Sequence, residues 1–294
     1  MIRLGALFTL VGLLFSGPAY ASDPIPVVAS FSIVGDIVRT IGGERIKVDT
    51  LVGPEEDAHV FDPAPKDAAR ITVAKLIIIN GLGFEGWIDR LIKASGGSAK
   101  LVVASTGVVS HRAVLDGQDR IDPHAWQDVG DIRIYAQNIA EALSMIDPDG
   151  ADLYRNNLAH FDEQLIALDI EIRSAIMAIP AERRKIVTTH DAFGYFAQAY
   201  GIEMIAPQGV STEAEPSAKD VARIIRQVKS DHIPAVFLEN ISDPRLAQRI
   251  ATESGAHMGG KLYSDALSKE NEPAGTYIAM MKANIRELTK ALMP

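Results

Sequence analysis

Apolar residues in this chain follow two recurring patterns: short runs rich in valine, isoleucine and leucine, and longer stretches with helical spacing. The short runs fall into two groups. The first is Val27–Ser30, Lys47–Val52, Lys75–Asn80 and Lys100–Ala104; the second is Lys185–Thr189, Glu203–Ala206, Ala235–Glu239 and Lys261–Ser264. Runs of this kind predict buried parallel strands, and the amphipathic stretches between them predict covering helices. Alternation of strand and helix implies α/β lobes with right-handed crossovers. Between the groups, Asp147-Pro148-Asp149-Gly150 leads into a stretch free of glycine and proline that ends at Pro180. Leu153, Leu158, Phe161, Leu165, Leu168, Ile172 and Ile176 recur there at helical spacing. They predict one helix about 45 Å long, enough to join two lobes.

The expected organisation is a first lobe over 22–147, a connecting helix over 148–180 and a second lobe over 181–294. Each lobe carries a roughly four-stranded, mainly parallel sheet flanked by helices. A chain of this length exceeds the usual size of a single core, which also favours two units. A single stiff connector should restrict lobe movement more than two or three flexible strands would. An internal echo points to duplication: Lys66-Asp67-Ala68-Ala69-Arg70-Ile71 and Lys219-Asp220-Val221-Ala222-Arg223-Ile224 each precede the third strand of their group. Pro65 and Pro216 mark the expected helix starts.

The N-terminus adds a destination. Arg3, an apolar run from Leu4 to Phe15 and Ala19-Tyr20-Ala21 form an export signal with expected cleavage after Ala21. The run is about 12 residues, short of the roughly 20 that span a bilayer. Zero cysteines exclude disulfides, thiolate metal sites, cysteine nucleophiles and a lipid-modified cysteine. The expectation is a soluble protein of the periplasm. Net charge is −9 and no basic stripe is present, which argues against nucleic-acid binding and mildly favours cations.

Four residues are candidates for binding one transition metal: His59, His124, His190 and Asp265. His59 follows the second strand in a loop rich in glycine and proline, where ligands of open α/β sheets bind. His124 lies in Asp122-Pro123-His124-Ala125-Trp126, with Trp126 expected to pack beneath the loop and tie it to the core. His190 follows Lys185–Thr189 before an aromatic-rich stretch, and Asp265 follows Lys261–Ser264. Alone, a loop histidine is ordinarily a surface residue, and a lone aspartate after a strand is a cap or turn residue. Together they are two candidates from each lobe, all at strand ends on one side of the sheets. Imidazoles and a carboxylate are borderline ligands that suit tetrahedral zinc. Asp191 competes as a ligand or as the cap of the following helix. His160, His232 and His257 read as surface or packing residues, the last in a glycine-rich turn, and His111 as part of a polar loop.

These motifs, in this order and spacing, resemble the metal-binding receptors of bacterial zinc/manganese ABC importers, the cluster A-I or zinc-uptake solute-binding family. The resemblance spans essentially the whole mature chain. It rests on Ala58–Pro63, Asp122–Trp126, Thr189–Phe196 and Ser264–Leu267, with Asp147-Pro148 through Leu168 resembling the family's backbone helix. It implies two α/β lobes joined by one long helix, metal held in the cleft, and a membrane permease as partner. It assigns His59 and His124 to the first lobe's share of the ligands, His190 and Asp265 to the second's. Manganese-specific relatives tend to carry a carboxylate where His190 stands, so three imidazoles favour Zn²⁺ over Mn²⁺. Two departures keep manganese as the alternative. Gly107–Asp122 is short and offers only His111, Asp116, Asp119 and Asp122 in place of a long histidine- and acid-rich loop. The disulfide of some zinc receptors is absent.

The leading expectation is therefore capture of Zn²⁺ in the periplasm and delivery to a permease, by a monomer with no catalytic residue. A metallohydrolase would instead need a metal-bound water and a base, for which Glu239 is the candidate. More simply, Glu239 orients an imidazole or a loop. An adhesin role is neither demanded nor excluded.

Overall fold

The computed structural model describes residues 23–115 and 118–294. The expected export signal, residues 1–21, and Asp116 lie outside the described residues. The first lobe runs β1 (Ile25–Phe31), α1 (Ser32–Gly42), β2 (Ile46–Val52), α2 (Pro65–Val73), β3 (Leu76–Ile79), α3 (Ile88–Ser95) and β4 (Lys100–Val103). A hairpin of β5 (Arg112–Leu115) and β6 (Gln118–Ile121) and the helix α4 (Val129–Ile146) complete it. The connector is α5 (Ala151–Ala178). The second lobe runs β7 (Lys185–Val187), α6 (Gly194–Tyr200), β8 (Glu203–Ile205), α7 (Ala218–Ser230), β9 (Ala235–Glu239), α8 (Pro244–Ser254), β10 (His257–Leu262) and α9 (Tyr277–Leu292).

Both four-stranded sheets are parallel throughout, as expected. Their orders are β2-β1-β3-β4 and β10-β9-β7-β8. Read from the other edge, the second order is the first one again, strand for strand. The repeated hexapeptides sit on α2 and α7, each leading into the third strand of its sheet. Asp67 and Asp220 both fall in the third helical position. The Asp67 carboxylate accepts the Ala64 N–H at 2.8 Å, and the Asp220 N–H reaches Ser217 Oγ at 3.2 Å. Pro65 opens α2 as expected, whereas Pro216 lies one residue before the Ser217 cap of α7.

The connector spans 28 residues, about 42 Å at 1.5 Å per residue. It lies along α1 and α4 on one side and α6 and α9 on the other. Its buried stripe is Tyr154, Phe161, Leu165, Leu168, Ile172 and Ile176. Tyr154 replaces the expected Leu153, which is 40% exposed. The Tyr154 hydroxyl reaches Asp147 at 2.5 Å, so a polar tip is satisfied while the ring packs. One apolar cluster runs from the first sheet through α1, α4 and α5 into β7, β9 and α9. A smaller cluster fills the space between the second sheet and α7 and α8. The lobes therefore share most of a core, where the chain's length alone suggested two.

Candidate metal centre

All four candidate donors arrive at one buried point between the sheets. His59 stands beyond β2, His124 beyond the β5–β6 hairpin, His190 beyond β7 and Asp265 beyond β10. Their donor atoms all lie within 4.8 Å of one another. His59 Nε2 is 3.3 Å from His124 Nε2 and 3.3 Å from Asp265 Oδ2. His190 Nε2 is 3.1 Å from Asp265 Oδ2, and His124 Nε2 is 3.6 Å from Asp265 Oδ1. A tetrahedral zinc with bonds of about 2.0–2.1 Å places its donors about 3.3 Å apart. The separations from His59 and His190 to Asp265 Oδ2 and between His59 and His124 thus lie near the edge length such an ion requires. Asp265 Oδ1 is buried with no hydrogen-bond partner, an arrangement that a cation would satisfy.

Two of the histidine rings are held from behind by carboxylates, and the third is held through its loop. His124 Nδ1 meets Asp122 Oδ1 at 2.7 Å, and a carboxylate there can only accept. The Nδ1 proton is held there, so that once Nε2 gives up its own proton its lone pair would face the common point. His190 Nδ1 lies 2.5 Å from Glu239 Oε2, a close charge contact that is not aligned as a hydrogen bond. Glu239 Oε1 accepts from the Thr189 N–H and hydroxyl and from the His190 N–H, at 2.7, 2.7 and 2.9 Å. Glu239 therefore stands behind His190, in the orienting place expected of it, and does not face the donor point. The His59 loop is fixed by Trp87 Nε1, which donates to the Ala58 carbonyl at 2.8 Å, and by Asp57 Oδ1, which accepts the His59 N–H at 2.9 Å. Asn80 Nδ2 donates to the Pro123 carbonyl at 2.9 Å, and Asn80 is itself gripped by the Tyr135 hydroxyl.

Trp126 is fully buried beneath the site, with its ring against Phe31, Phe84 and His124. Its N–H and the Gln127 side-chain amide both donate to the Ser264 carbonyl at 2.7 Å. The tryptophan thus ties its loop to the core, as expected, and also to the opposite lobe.

Burial opposes charge on His124, but the carboxylates of Asp265 and Asp122 outweigh it and hold the imidazole up at about 9. His190 is likewise raised well above its ordinary value, its burial overcome by Glu239 and Asp265. Burial would raise the two carboxylates, yet Asp265 is driven well below its usual range by His190 and His124, and Glu239 is lowered by His190. The carboxylates that favour a proton on these imidazoles would equally favour a divalent ion in the protons' place.

Other expectations resolve differently. Asp191 does not cap α6: Phe193 holds that position without a side-chain bond, and the Asp191 N–H pairs with the Gly209 carbonyl at 3.2 Å. Nor does Asp191 join the donor cluster. His257 opens β10 instead of lying in a turn. Gly107–Asp122 contains a hairpin, His111 stacks on Tyr195 with ring centroids 4.0 Å apart, and Asp122 turns inward to His124. The roles of Asp122, Asp57, Gln127 and Ser264 were not anticipated. Asp57 and Asp122, each two residues before a histidine in a proline-containing loop, left a readable trace.

Paired α/β lobes on one long helix, with imidazoles and a carboxylate converging between them, define a solute-binding receptor for a metal ion. Residues 27–291 match the sequence profile of the periplasmic zinc-uptake complex component A, and the chain belongs to that family. Its members are the substrate-binding components of metal ABC importers and work with a membrane permease. The chain is 32% identical over 277 residues to the manganese-binding lipoprotein MntA of Halalkalibacterium halodurans, covering 94% of this chain and 91% of that one. It is 30% identical over 300 residues to the iron-binding protein YfeA of Yersinia pestis, covering 98% and 96%. Among solved structures it is similar to the periplasmic zinc-binding protein TroA of Treponema pallidum, with a TM-score of 0.87 and 30% identity over 92% of this chain and all of that one. Among the described residues no helix is long and apolar enough to cross a membrane.

Proposed function

We propose that this protein captures one Zn²⁺ at His59, His124, His190 and Asp265 and hands it to the permease of its importer. The reading is carried by one observation: three buried imidazoles and the Asp265 carboxylate converge with all donor atoms within 4.8 Å of one another, His59 and His190 Nε2 lying 3.3 and 3.1 Å from Asp265 Oδ2, and Asp265 Oδ1 has no hydrogen-bond partner. Three nitrogens to one carboxylate make a softer set than two of each, which moves preference from Mn²⁺ toward Zn²⁺. The filled set leaves no position for a catalytic water, and Glu239 is engaged by His190 and Thr189. Both support a receptor rather than a hydrolase. The export signal, with cleavage after Ala21, and the absence of any cysteine support a protein carried free in the periplasm.

Manganese is the second reading. Both Asp265 oxygens face imidazoles, which would allow five-coordination, and several relatives, MntA among them, are named for manganese. Elemental analysis with a competition titration separates the two. The expected result is about one zinc per chain, bound more tightly than manganese. Equal affinities would reject the preference, and a stripped protein that binds neither ion would reject the site.

A further inference from the structure

The four candidate donors are not equally enclosed. His124, His190 and Asp265 have no exposed surface, whereas His59 keeps 8% and lines a cleft of about 590 Å³. One wall of the cleft is Leu82, Gly83 and Phe84 of the first lobe; the other is Val210, Ser211 and Glu213 of the second. The second wall belongs to an irregular strap, residues 206–217, between β8 and α7. The strap is rooted beside His190: Gln208 bridges His190 in ladder fashion, and the Gly209 carbonyl accepts the Asp191 N–H. Its tip crosses to the first lobe, where the Thr212 hydroxyl donates to Asp57 Oδ2 at 2.6 Å. The other oxygen of that carboxylate accepts the His59 N–H. A single carboxylate thus joins the strap over the cleft to the backbone of the most accessible donor.

The opposite side of the site is fastened more heavily. Ser264 O takes bonds from Trp126 and Gln127, and Leu267 pairs through its N–H with Ser32 Oγ and through its carbonyl with the Glu55 N–H. The Tyr277 N–H adds a bond to Asp36. Parting the lobes on that side breaks several buried bonds at once.

We propose that metal reaches and leaves the centre past His59, beneath this strap, and that Asp57 and Thr212 are positioning residues whose hydrogen bond sets the rate of exchange. The proposal rests on the reading that the four donors hold the ion. The bond closes the same route in both directions, so it restrains uptake and loss alike. Its removal should change both rates more than it changes their ratio.

Stopped-flow measurement of Zn²⁺ uptake, and of Zn²⁺ loss to an excess of chromophoric chelator, tests this on the mature chain. Thr212→Val should speed both by about tenfold, the worth of a hydrogen bond to a charged acceptor. Thr212→Ser, which keeps the hydroxyl, should behave as the parent. Ser211→Trp, at the rim, should slow both. Unchanged rates in Thr212→Val, weakened binding without faster uptake, or the same defect in Thr212→Ser would overturn the latch. Unchanged rates in Ser211→Trp would place the route elsewhere. A parent protein that takes up no zinc would fail at the first step, overturning the four-donor reading and this inference with it.

Discussion

Trp126 of the first lobe donates its indole N–H to the carbonyl of Ser264 in the second, at 2.7 Å, one residue before Asp265. On the far side of Asp265, Leu267 is bonded to Ser32 and Glu55, again in the first lobe. Asn240, next to the end of β9, supplies the counterweight from its own lobe, with bonds to the Ala266 carbonyl and the Ser264 N–H. Asp265 therefore belongs to the second lobe by chain and to both by attachment. Its carboxylate is placed by the joint between the lobes.

Trp126→Phe keeps an aromatic ring under the site and removes the donor. A neutral hydrogen bond contributes about 1 kcal/mol, and the smaller ring leaves part of the indole volume empty. Urea unfolding of the metal-free protein should show a loss of about 1–3 kcal/mol. Zinc affinity should fall with it, because the Ser264 carbonyl keeps only Gln127 from that pair. Lower stability with unchanged zinc affinity would mean the attachment does not position Asp265.

The carboxylates behind the imidazoles make a second prediction. Asp122→Asn and Glu239→Gln retain size and remove the charge that fixes each Nδ1 proton. Each should weaken zinc binding by about 10–100-fold, the usual effect of partners one step removed from a metal. Glu239→Gln should be the more damaging to the metal-free fold, since Glu239 also accepts the Thr189 and His190 N–H groups. Competition titration of both variants would reject the assignment if affinity held.

Much of this arrangement was legible along the chain because strands buried on both faces write themselves as unbroken apolar runs. β10 was seen only at its end: His257-Met258-Gly259-Gly260 has no β-branched residue, and the ladder shifts register between Met258 and Lys261. The hairpin has the polar look of a loop, although Asp116-Gly117, a turn-forming pair, stands in the sequence between Arg112–Leu115 and Gln118–Ile121. The four candidate donors could be picked out because each follows a strand end. Asp57 and Asp122 each stand two residues before a donor histidine, a local trace, but the reach of Asp57 to Thr212 joins segments that only the fold brings together.

The pH dependence should differ from that of ordinary histidines, whose protons would compete below about 6.5. His124 is held up at about 9 in the metal-free protein, so at neutral pH an incoming ion must displace its proton. Zinc affinity should keep rising from pH 7 to about 9, with protons released on binding. The metal-free fold has the opposite sense. A raised imidazole contributes stability that is complete below its unfolded value near 6.5 and is lost as pH climbs through about 9. The lowered Asp265 contributes stability above its unfolded value that is lost as pH falls through its depressed one. The gain in Tm on adding zinc should therefore widen from pH 6 to 9. A zinc affinity that is flat between pH 7 and 9 would contradict the charged cluster.

Metal binding should be visible as stability. Free zinc at about a thousand times its dissociation constant should add about 4 kcal/mol. For a chain of this size that is a rise in Tm of about 10 °C. His59→Ala and Asp265→Ala should each abolish most of the rise, though the two residues reach the site from different lobes. A full shift in either variant would remove that residue from the donor set.

The connector sets a limit on how far the lobes can part. α5 packs against α1 and α4 of one lobe and α6 and α9 of the other, and a single apolar cluster spans both. Hinging the lobes widely would break that cluster, exposing apolar surface at about 25 cal/mol per Å². One ion held by four donors has no large surface with which to offset such a cost. Small-angle scattering should therefore give a radius of gyration near 18 Å that does not change measurably when zinc is added to stripped protein. Exchange would then proceed through local movement at the site, with α5 and the shared core intact. A clear expansion on stripping the metal would show the connector bending and would return the release step to whole-lobe motion.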